Sequence, residues 1–322
     1  MPDPDLDLLF APPLPPGEIA FWNADWHPAI AAIAGRLWCL QDWKPACDRL
    51  AARGLRIGLP REKVAVSLVR LGRQRQRNLG AIASAAALLG PGGLLRVAGS
   101  NALGPARYAK DFAALGLQPV AMSKGKARRL DTVPNTVDFS GWRAAAASRA
   151  VLDGAYISAP GVFAWDRIDA GSARLASLLP ANLVGRVADL GAGFGFLSKS
   201  ALEKSPGIAH LDAFEADLLA VECAKANLNE TATVHWHDVT AGIGEALYDA
   251  VLANPPFHDA IGEDRSLGLR FIDVAANALK PGGRLFLVAN RHLPYEQKLD
   301  ARFKRVERLH EGNGFKVYAA WV

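Results

Sequence analysis

The stretch Tyr248–Ala260 reads YDAVLANPPFHDA, an apolar run that delivers Asn254, Pro255, Pro256 and Phe257, then His258 and Asp259. Proline has no backbone N–H and is kept out of central strands. The run therefore predicts a buried strand cut off by a rigid turn that carries one amide and one aromatic ring. A delocalised exocyclic amine is a poor nucleophile, and it gains from acceptors for its N–H hydrogens as positive charge grows on nitrogen. The side-chain oxygen of Asn254 and the Pro255 carbonyl can form such a preorganised pair. The prolines hold that carbonyl outward without a competing donor, and Phe257 can stack on a flat target group. Taken alone, the same residues describe a strand-ending turn with a packed Phe. No second His and no Cys stands near His258 in sequence, so a place at the pocket edge suits it better than a metal.

A second chemical signal lies upstream. RVADLGAGFGFLS places Asp189, Gly191, Gly193 and Gly195 between a predicted strand and a predicted helix. Glycines there let backbone approach a ligand closely. Phe196 stands where a dinucleotide fingerprint needs its third glycine, which counts against a nicotinamide cofactor. A cofactor with a sulfonium centre and an amino-acid end needs no pyrophosphate cradle, and Asp189 can accept from its amino group or organise the loop. Glu215, at the end of the next strand, is placed to take ribose hydroxyls, with Asp212 as its competitor. Asp238, after the third strand, can accept from an adenine amine or cap a turn. Acids at successive strand ends mark the edge along which ligands of open parallel sheets bind.

The elements that must position these residues alternate. RVADL, AHLDAFEA, TATVHWHDV, YDAVLA and RLFLVAN read as strands. FLSKSALEKS, LLAVECAKANLNE and SLGLRFIDVAANAL, with Leu269, Ile272 and Ala276 on one face, read as helices. Such alternation predicts a parallel α/β sheet. KRVERLHE and GFKVYAAWV flank Gly-Asn-Gly and predict a closing antiparallel hairpin. LLGPGGLLRVAGSN, from Leu88, echoes ALKPGGRLFLVANR, from Ala278, and KVAVSLVRL followed by RNLGAIASAAALL parallels the fourth strand and its helix. The first half therefore reads as a second α/β domain, lacking the acid-glycine loop. The expected domains are 1–147 and 148–322, parted near Ala144–Ala150, at the run WRAAAASRA.

Of the 322 residues, 50% are hydrophobic and 21% charged, enough to build two cores. The net charge of +5 permits an acidic partner without demanding one. Three scattered cysteines make no disulfide framework and suggest a reduced, cytoplasmic setting. The Pro-rich start, MPDPDLDLLFAPPLPPGE, has no signal-peptide pattern and predicts a partly extended arm, and no apolar run is long enough to span a membrane. Basic runs are candidates for phosphate contacts: RLGRQRQR (Arg70, Arg73, Arg75, Arg77), KGKARR (Lys124, Lys126, Arg128, Arg129) and KLDARFKRVER (Lys298, Arg302, Lys304, Arg305). Ordinary solvated faces would look the same.

The set DLGAGFG, NPPFHDA, PGGRLFLVAN, LPY and GFKVYAAW resembles the bacterial ribosomal RNA guanine-N2 methyltransferases of the small-subunit type, closely from about Ile157 onward and loosely before it. The resemblance implies two tandem Rossmann-like methyltransferase domains, of which only the second binds S-adenosylmethionine. It implies Asp189, Gly191, Gly193, Gly195, Glu215, Asp238 and Asn254 around the cofactor, and Asn254, Pro255, Pro256 and Phe257 holding the guanine amine. Phe163 and the run from Asp169 to Ser172 would border the pocket. His258 and Phe163, with Arg73, Arg75 and Arg77 of the first domain, would meet a ribosomal RNA or a ribosomal subunit; neither metal nor membrane is implied. NPPF alone is shared with enzymes acting on adenine N6 or protein glutamine, and the large-subunit guanine enzymes are similar. Those activities, and a non-catalytic RNA-binding factor, are the alternatives.

Overall fold

The computed structural model describes residues 3–245, 247–256 and 265–322. Contacts divide the chain into two compact units, Met1–Ala147 and Ser148–Val322. In the first, β1 (Ile19–Trp22), β2 (Leu37–Leu40), β3 (Arg56–Ile57), β4 (Val64–Arg70), β5 (Leu89–Ser100), β6 (Val120–Lys124) and β7 (Ala127–Thr132) form one sheet in the order β3-β2-β1-β4-β5-β7-β6. Its helices are α1 (Pro4–Leu9), α2 (Lys44–Ala51), α3 (Arg75–Leu88), α4 (Pro105–Ala114) and α5 (Ser140–Ala146).

The second unit opens with a small antiparallel pair, β8 (Arg149–Val151) and β9 (Tyr156–Ser158). Then follow α6 (Ala170–Leu178), β10 (Gly185–Leu190), α7 (Phe196–Lys204), β11 (Ile208–Glu215), α8 (Leu218–Asn227), β12 (Ala232–Trp236) and β13 (Tyr248–Ala253). The unit ends with α9 (Arg265–Ala278), β14 (Leu279–Asn290), α10 (Glu296–Arg302), β15 (Arg305–Gly312) and β16 (Phe315–Trp321). The sheet order is β12-β11-β10-β13-β14-β16-β15, the first unit's order repeated strand for strand. All neighbours are parallel except those involving β16. The duplicated α/β plan expected from the echo is the fold.

The central strands are buried on both faces, which is why they read as unbroken apolar runs. Alternate residues part to opposite sides. Val187, Ala250 and Leu252 pack toward Leu175, Leu179 and Leu197, while Ala188, Val251 and Ala253 pack toward Phe271, Ile272 and Ala275. The inward face of α9 is therefore centred on Phe271, Ile272 and Ala275; the expected Leu269 and Ala276 only flank it.

Two further expectations are corrected. Pro-Gly-Gly is not a turn before the strand but part of its irregular start, in β5 and β14 alike. A Cβ on Gly283 would come within 2.9 Å of the Lys280 carbonyl oxygen, and one on Gly93 within 3.0 Å of the Gly90 carbonyl oxygen, so the same close approach demands glycine twice. The N-terminal segment is not an extended arm. Pro4 starts α1, whose Leu6, Leu8 and Leu9 are buried in the first core. Arg96 and Arg129 tie its end down by donating to the carbonyls of Leu9 and Leu8.

Candidate active site

The glycine loop joins β10 to α7. Gly191, Gly193 and Gly195 all have positive φ (75, 57 and 91°), which side-chain-bearing residues avoid. The N–H groups of Gly191 and Ala192 both donate to the Phe214 carbonyl, so the loop folds back over the end of β11. Gly193 has no atom within 4 Å of where a Cβ would stand, so its outer side is open. Asn227, at the end of α8, donates to the carbonyls of Phe194 and Ile157 and accepts from the Ile157 N–H. That bracket was not anticipated from spacing.

Glu215 ends β11 beside this loop. One carboxylate oxygen accepts from the Gly193 N–H at 2.8 Å and the other from the Asp217 N–H at 2.7 Å. Burial raises its carboxyl pKa against the pull of those backbone donors. Asp212 faces elsewhere: it is 2% exposed and bonded to Arg186 and His235, each at 2.7 Å. Glu215, and not Asp212, thus lies against the glycine loop, and Asp212 is a buried ion-pair partner. Asp238 caps the turn after β12, its Oδ1 accepting from the Thr240 N–H and hydroxyl.

Asp189 is fully buried beneath the loop. Its Oδ2 accepts from the Ser198 hydroxyl at 2.7 Å, which fastens β10 to α7, and its Oδ1 has no partner among the described residues. Of the two roles weighed for it, organising the loop is the one its contacts express. Burial pushes its carboxyl up to about 7, more than the Ser198 hydrogen bond offsets.

Asn254 follows β13 on the same carboxyl edge. Its Nδ2 donates to Asp169 Oδ2 at 2.9 Å and to Ser172 Oγ at 2.7 Å, both at the start of α6. Its Oδ1 is buried and has no partner among the described residues. Pro255 is buried and Pro256 exposed; Phe257 and His258 lie outside the described residues. Phe163 is 65% exposed in the segment before α6.

Strand register aligns the two units residue by residue. Because Val66 pairs with Leu94 as Ala250 pairs with Arg284, Arg70 of the first unit corresponds to Asn254. Because Ile19 pairs with Val66 as Val187 pairs with Ala250, Phe21 corresponds to Asp189 and Asn23-Ala24-Asp25 to Gly191-Ala192-Gly193. Across β1 and β2, Gln41 corresponds to Glu215. Asp189, Gly191, Gly193, Glu215 and Asn254 of the second unit are thus all replaced in the first, apart from the left-handed backbone that Asn23 retains at φ 55°.

The basic runs are partly committed inside the fold. Arg70 is paired with Asp3, Asp5 and Asp25, Arg75 with Asp111 and Arg77 with Asp42. Arg129 is buried against Asp131, while Lys298 and Arg302 both meet Asp273. Lys124, Lys126 and Arg128 are different: they stand on or beside the turn between β6 and β7, and Lys124 and Lys126 are exposed. Two surface clefts lie at the opposite end of the first sheet's strands, around Lys63, Leu89 and Pro134. Among the described residues no cluster of three His, Cys, Asp or Glu could hold a metal ion, and no helix is long and apolar enough to cross a membrane.

A parallel sheet closed by an antiparallel hairpin, with a glycine loop after its first central strand and an Asn-Pro-Pro turn after its fourth, defines a methyltransferase domain. The family model described as "Methyltransferase small domain" matches residues 154–319. The ribosomal RNA small subunit methyltransferase C of Pseudomonas aeruginosa (strain LESB58) is 33% identical over 248 residues, covering 74% of this chain and 74% of the relative. The protein of the same name from Shewanella sediminis is 34% identical over 162 residues, 49% of this chain and 46% of the relative; matches of this kind span about half the length of the curated relatives. A T. thermophilus 16S rRNA N2 methyltransferase, solved in complex with AdoMet and guanosine, superposes with a TM-score of 0.79 at 29% identity, covering 99% of this chain and 92% of its own. The chain belongs to the small methyltransferase domain family, in the branch of the ribosomal RNA small subunit methyltransferase C proteins.

Proposed function

We propose that the chain transfers a methyl group from S-adenosylmethionine to the exocyclic N2 amine of a guanine in small-subunit ribosomal RNA. The observation that carries this reading is the Asn254 amide: its nitrogen is bound to α6, while its oxygen is buried, unpartnered among the described residues and placed on the edge that holds the glycine loop. A buried acceptor without a donor costs roughly 1–3 kcal/mol, so its partner is expected to be a ligand. The names of the relatives, and the AdoMet and guanosine bound to the T. thermophilus protein, support the choice of donor and acceptor.

The residues present fit such a cofactor. When bound, it would supply an electrophilic methyl on sulfur, with sulfur keeping the bonding pair as the amine nitrogen forms the new bond and then loses a proton. Glu215 would accept from ribose hydroxyls, and its bonds to the Gly193 and Asp217 N–H groups hold it ready. The open side of Gly193 would admit the cofactor, and Asp189 would hold the loop over β10 through Ser198. Asp238 is assigned to the adenine end. Asn254 Oδ1 and the Pro255 carbonyl would accept the amine hydrogens and stabilise charge growing on nitrogen. Phe257 is assigned to stacking on the base, with His258 and Phe163 at the pocket rim. The first unit, lacking those acids and glycines, is assigned to positioning RNA.

Transfer of labelled methyl groups to isolated small subunits, large subunits, naked rRNA, DNA and release factors tests the reading. Incorporation into guanine N2 of small-subunit RNA is expected. Labelling confined to large-subunit RNA, DNA adenine or protein glutamine would replace the substrate. No incorporation anywhere would leave an RNA-binding factor with the fold.

A further inference from the structure

We infer that Asp169 and Ser172 are positioning residues that orient and polarise the Asn254 amide, an inference that rests on the reading of Asn254 as the amine acceptor. Asn254 lies 85 and 82 residues beyond Asp169 and Ser172 in sequence, and the fold brings it to them. Asp169 is the N-cap of α6, and its Oδ2 accepts from the Ser172 N–H at 2.8 Å. The same Oδ2 accepts from Asn254 Nδ2 at 2.9 Å, and Ser172 Oγ accepts from that nitrogen at 2.7 Å. Both amide hydrogens are therefore taken.

An asparagine side chain can turn over, exchanging its oxygen and its NH₂, and only its partners decide which faces outward. A carboxylate accepts and cannot donate, so the group opposite Asp169 has to be the NH₂. That places Oδ1 on the far side, where it is buried and unpartnered among the described residues. The wrong orientation would set two acceptors against each other and point a donor at the incoming amine. Donation to a carboxylate also shifts amide electron density toward oxygen, which strengthens Oδ1 as an acceptor. Gly171 helps to seat the acid: a Cβ there would lie 3.1 Å from Asp169 Oδ2 and 3.1 Å from Phe315 Cε1.

The first unit supplies an internal contrast. Asp3 stands at the N-cap position of α1, the helix before β1, as Asp169 stands at that of α6, the helix before β10, although only Asp169 accepts a cap bond from its helix. It bonds at 2.6 Å to Arg70, the register counterpart of Asn254. The acid is present in both units. Only the second follows it with a side chain that has an acceptor to offer, since arginine has none.

The test is a double-mutant cycle in the full chain, combined with nuclear magnetic resonance of the Asn254 side-chain amide. Asp169→Asn keeps the shape but removes the charge and the enforced orientation; Ser172→Ala removes one acceptor with little change of volume. Asp169→Asn is expected to lower single-turnover methyl transfer by roughly tenfold or more, within the 10²–10³ expected for losing the acceptor itself, with cofactor affinity and half-saturating RNA unchanged. Ser172→Ala should fall between wild type and Asp169→Asn. Added to Asn254→Ala, neither should slow the reaction further, because each acts through that amide. Multiplicative losses in the double mutants would overturn the inference. The resonance measurement stands apart from the substrate: Asp169→Asn should shift the Asn254 amide signals and speed their exchange. Unchanged signals would overturn the clamp whatever the enzyme methylates, whereas a wild-type protein inactive on guanine with the signals responding as expected would instead overturn the functional reading.

Discussion

Arg70 holds in the first unit the register position that Asn254 holds in the second, and each is bonded to the acid at a helix N-cap position, Asp3 of α1 before β1 and Asp169 of α6 before β10. One pair is an ion pair reinforced by Asp5 and Asp25; the other leaves an amide oxygen unpartnered among the described residues. Backbone chemistry diverges at the next residue. Leu71 donates its N–H to the Ala98 carbonyl, whereas Pro255 has none to give, so pairing of β13 with β14 ends at Ala253 and Leu287. The same scaffold thus ends in a locked strand in one unit and an offered acceptor in the other.

One cofactor should bind per chain. Phe21 and Gln41 stand where Asp189 and Glu215 stand, so the first unit has lost the acids of the edge. Gly193→Val should abolish binding: its φ of 57° is strained for a β-branched residue, and the new side chain would fill the open side of the loop. Calorimetry on the full chain should give a stoichiometry of one in wild type and none in the variant. A second site, or binding that survives the substitution, would contradict the assignment.

Asp189 should make stability depend on pH near neutrality. Its folded pKa, about 7, lies above the unfolded value, so the folded state binds the extra proton. Its contribution therefore favours folding at low pH and is lost as pH rises through about 7. Asp189→Asn removes the titration and should gain thermal stability over wild type as pH rises from 6 to about 8. Melting curves across that range check it, and a gap that does not widen with pH would show that the carboxyl stays ionised.

Asp212 should act with the opposite sign. Burial acts to raise its pKa, but hydrogen bonds from Arg186 and His235 outweigh it, leaving the folded value below the ordinary carboxylate value of about 4. Its stabilisation is present above that pH and is lost as pH falls through the lower, folded value. Arg186→Met should cost roughly 1–3 kcal/mol at neutral pH and flatten the acid limb of the stability curve. An unchanged midpoint in urea would place Arg186 among inconsequential surface charges.

Much of the second unit was legible because strand and helix periods, the glycine loop and the strand-end acids are local patterns. The Pro-Gly-Gly echo was legible for a physical reason, since Gly93 and Gly283 meet the same backbone crowding. What stayed hidden is long-range. Nothing near Asp169 in sequence announces Asn254, and nothing near Ile157 announces that Asn227 will bracket it. The N-terminal helix was misread for the same reason: its prolines and acids suggest an arm until Arg70 and Arg96 supply partners. Charge runs also misled, because a run of arginines does not reveal which acids the fold will bring to it.

RNA binding by the first unit is better probed at Lys124 and Lys126 than at the arginine run. Reversing Arg75 would also break its ion pair with Asp111 and should lower the melting temperature. Lys124→Glu with Lys126→Glu should leave the fold intact, weaken RNA binding and reduce its salt dependence by about one unit of slope for each phosphate no longer neutralised. Filter binding across a salt series decides it. An unchanged slope would return the turn between β6 and β7 to an ordinary solvated hairpin.

The amide and the ring after β13 should fail in different ways. Asn254→Ala removes the acceptor and leaves the Asp169 cap bonded to the Ser172 N–H, so the fold and cofactor binding should persist. Methyl transfer should slow by about 10²–10³, the usual cost of one preorganised partner to developing charge. Phe257, which lies outside the described residues, is assigned to stacking. A base out of its stack costs a few kcal/mol, and aromatic stacking returns roughly 1–3 of these. Phe257→Ala should therefore raise the RNA needed for half-saturation more than it slows turnover. Single-turnover kinetics with saturating cofactor and varied RNA separate the two. Should Asn254→Ala turn over like wild type at saturation, the buried oxygen is not the amine acceptor. The Asn-Pro-Pro turn would then serve only to end β13, and the clamp from α6 would be a fold contact without a part in transfer.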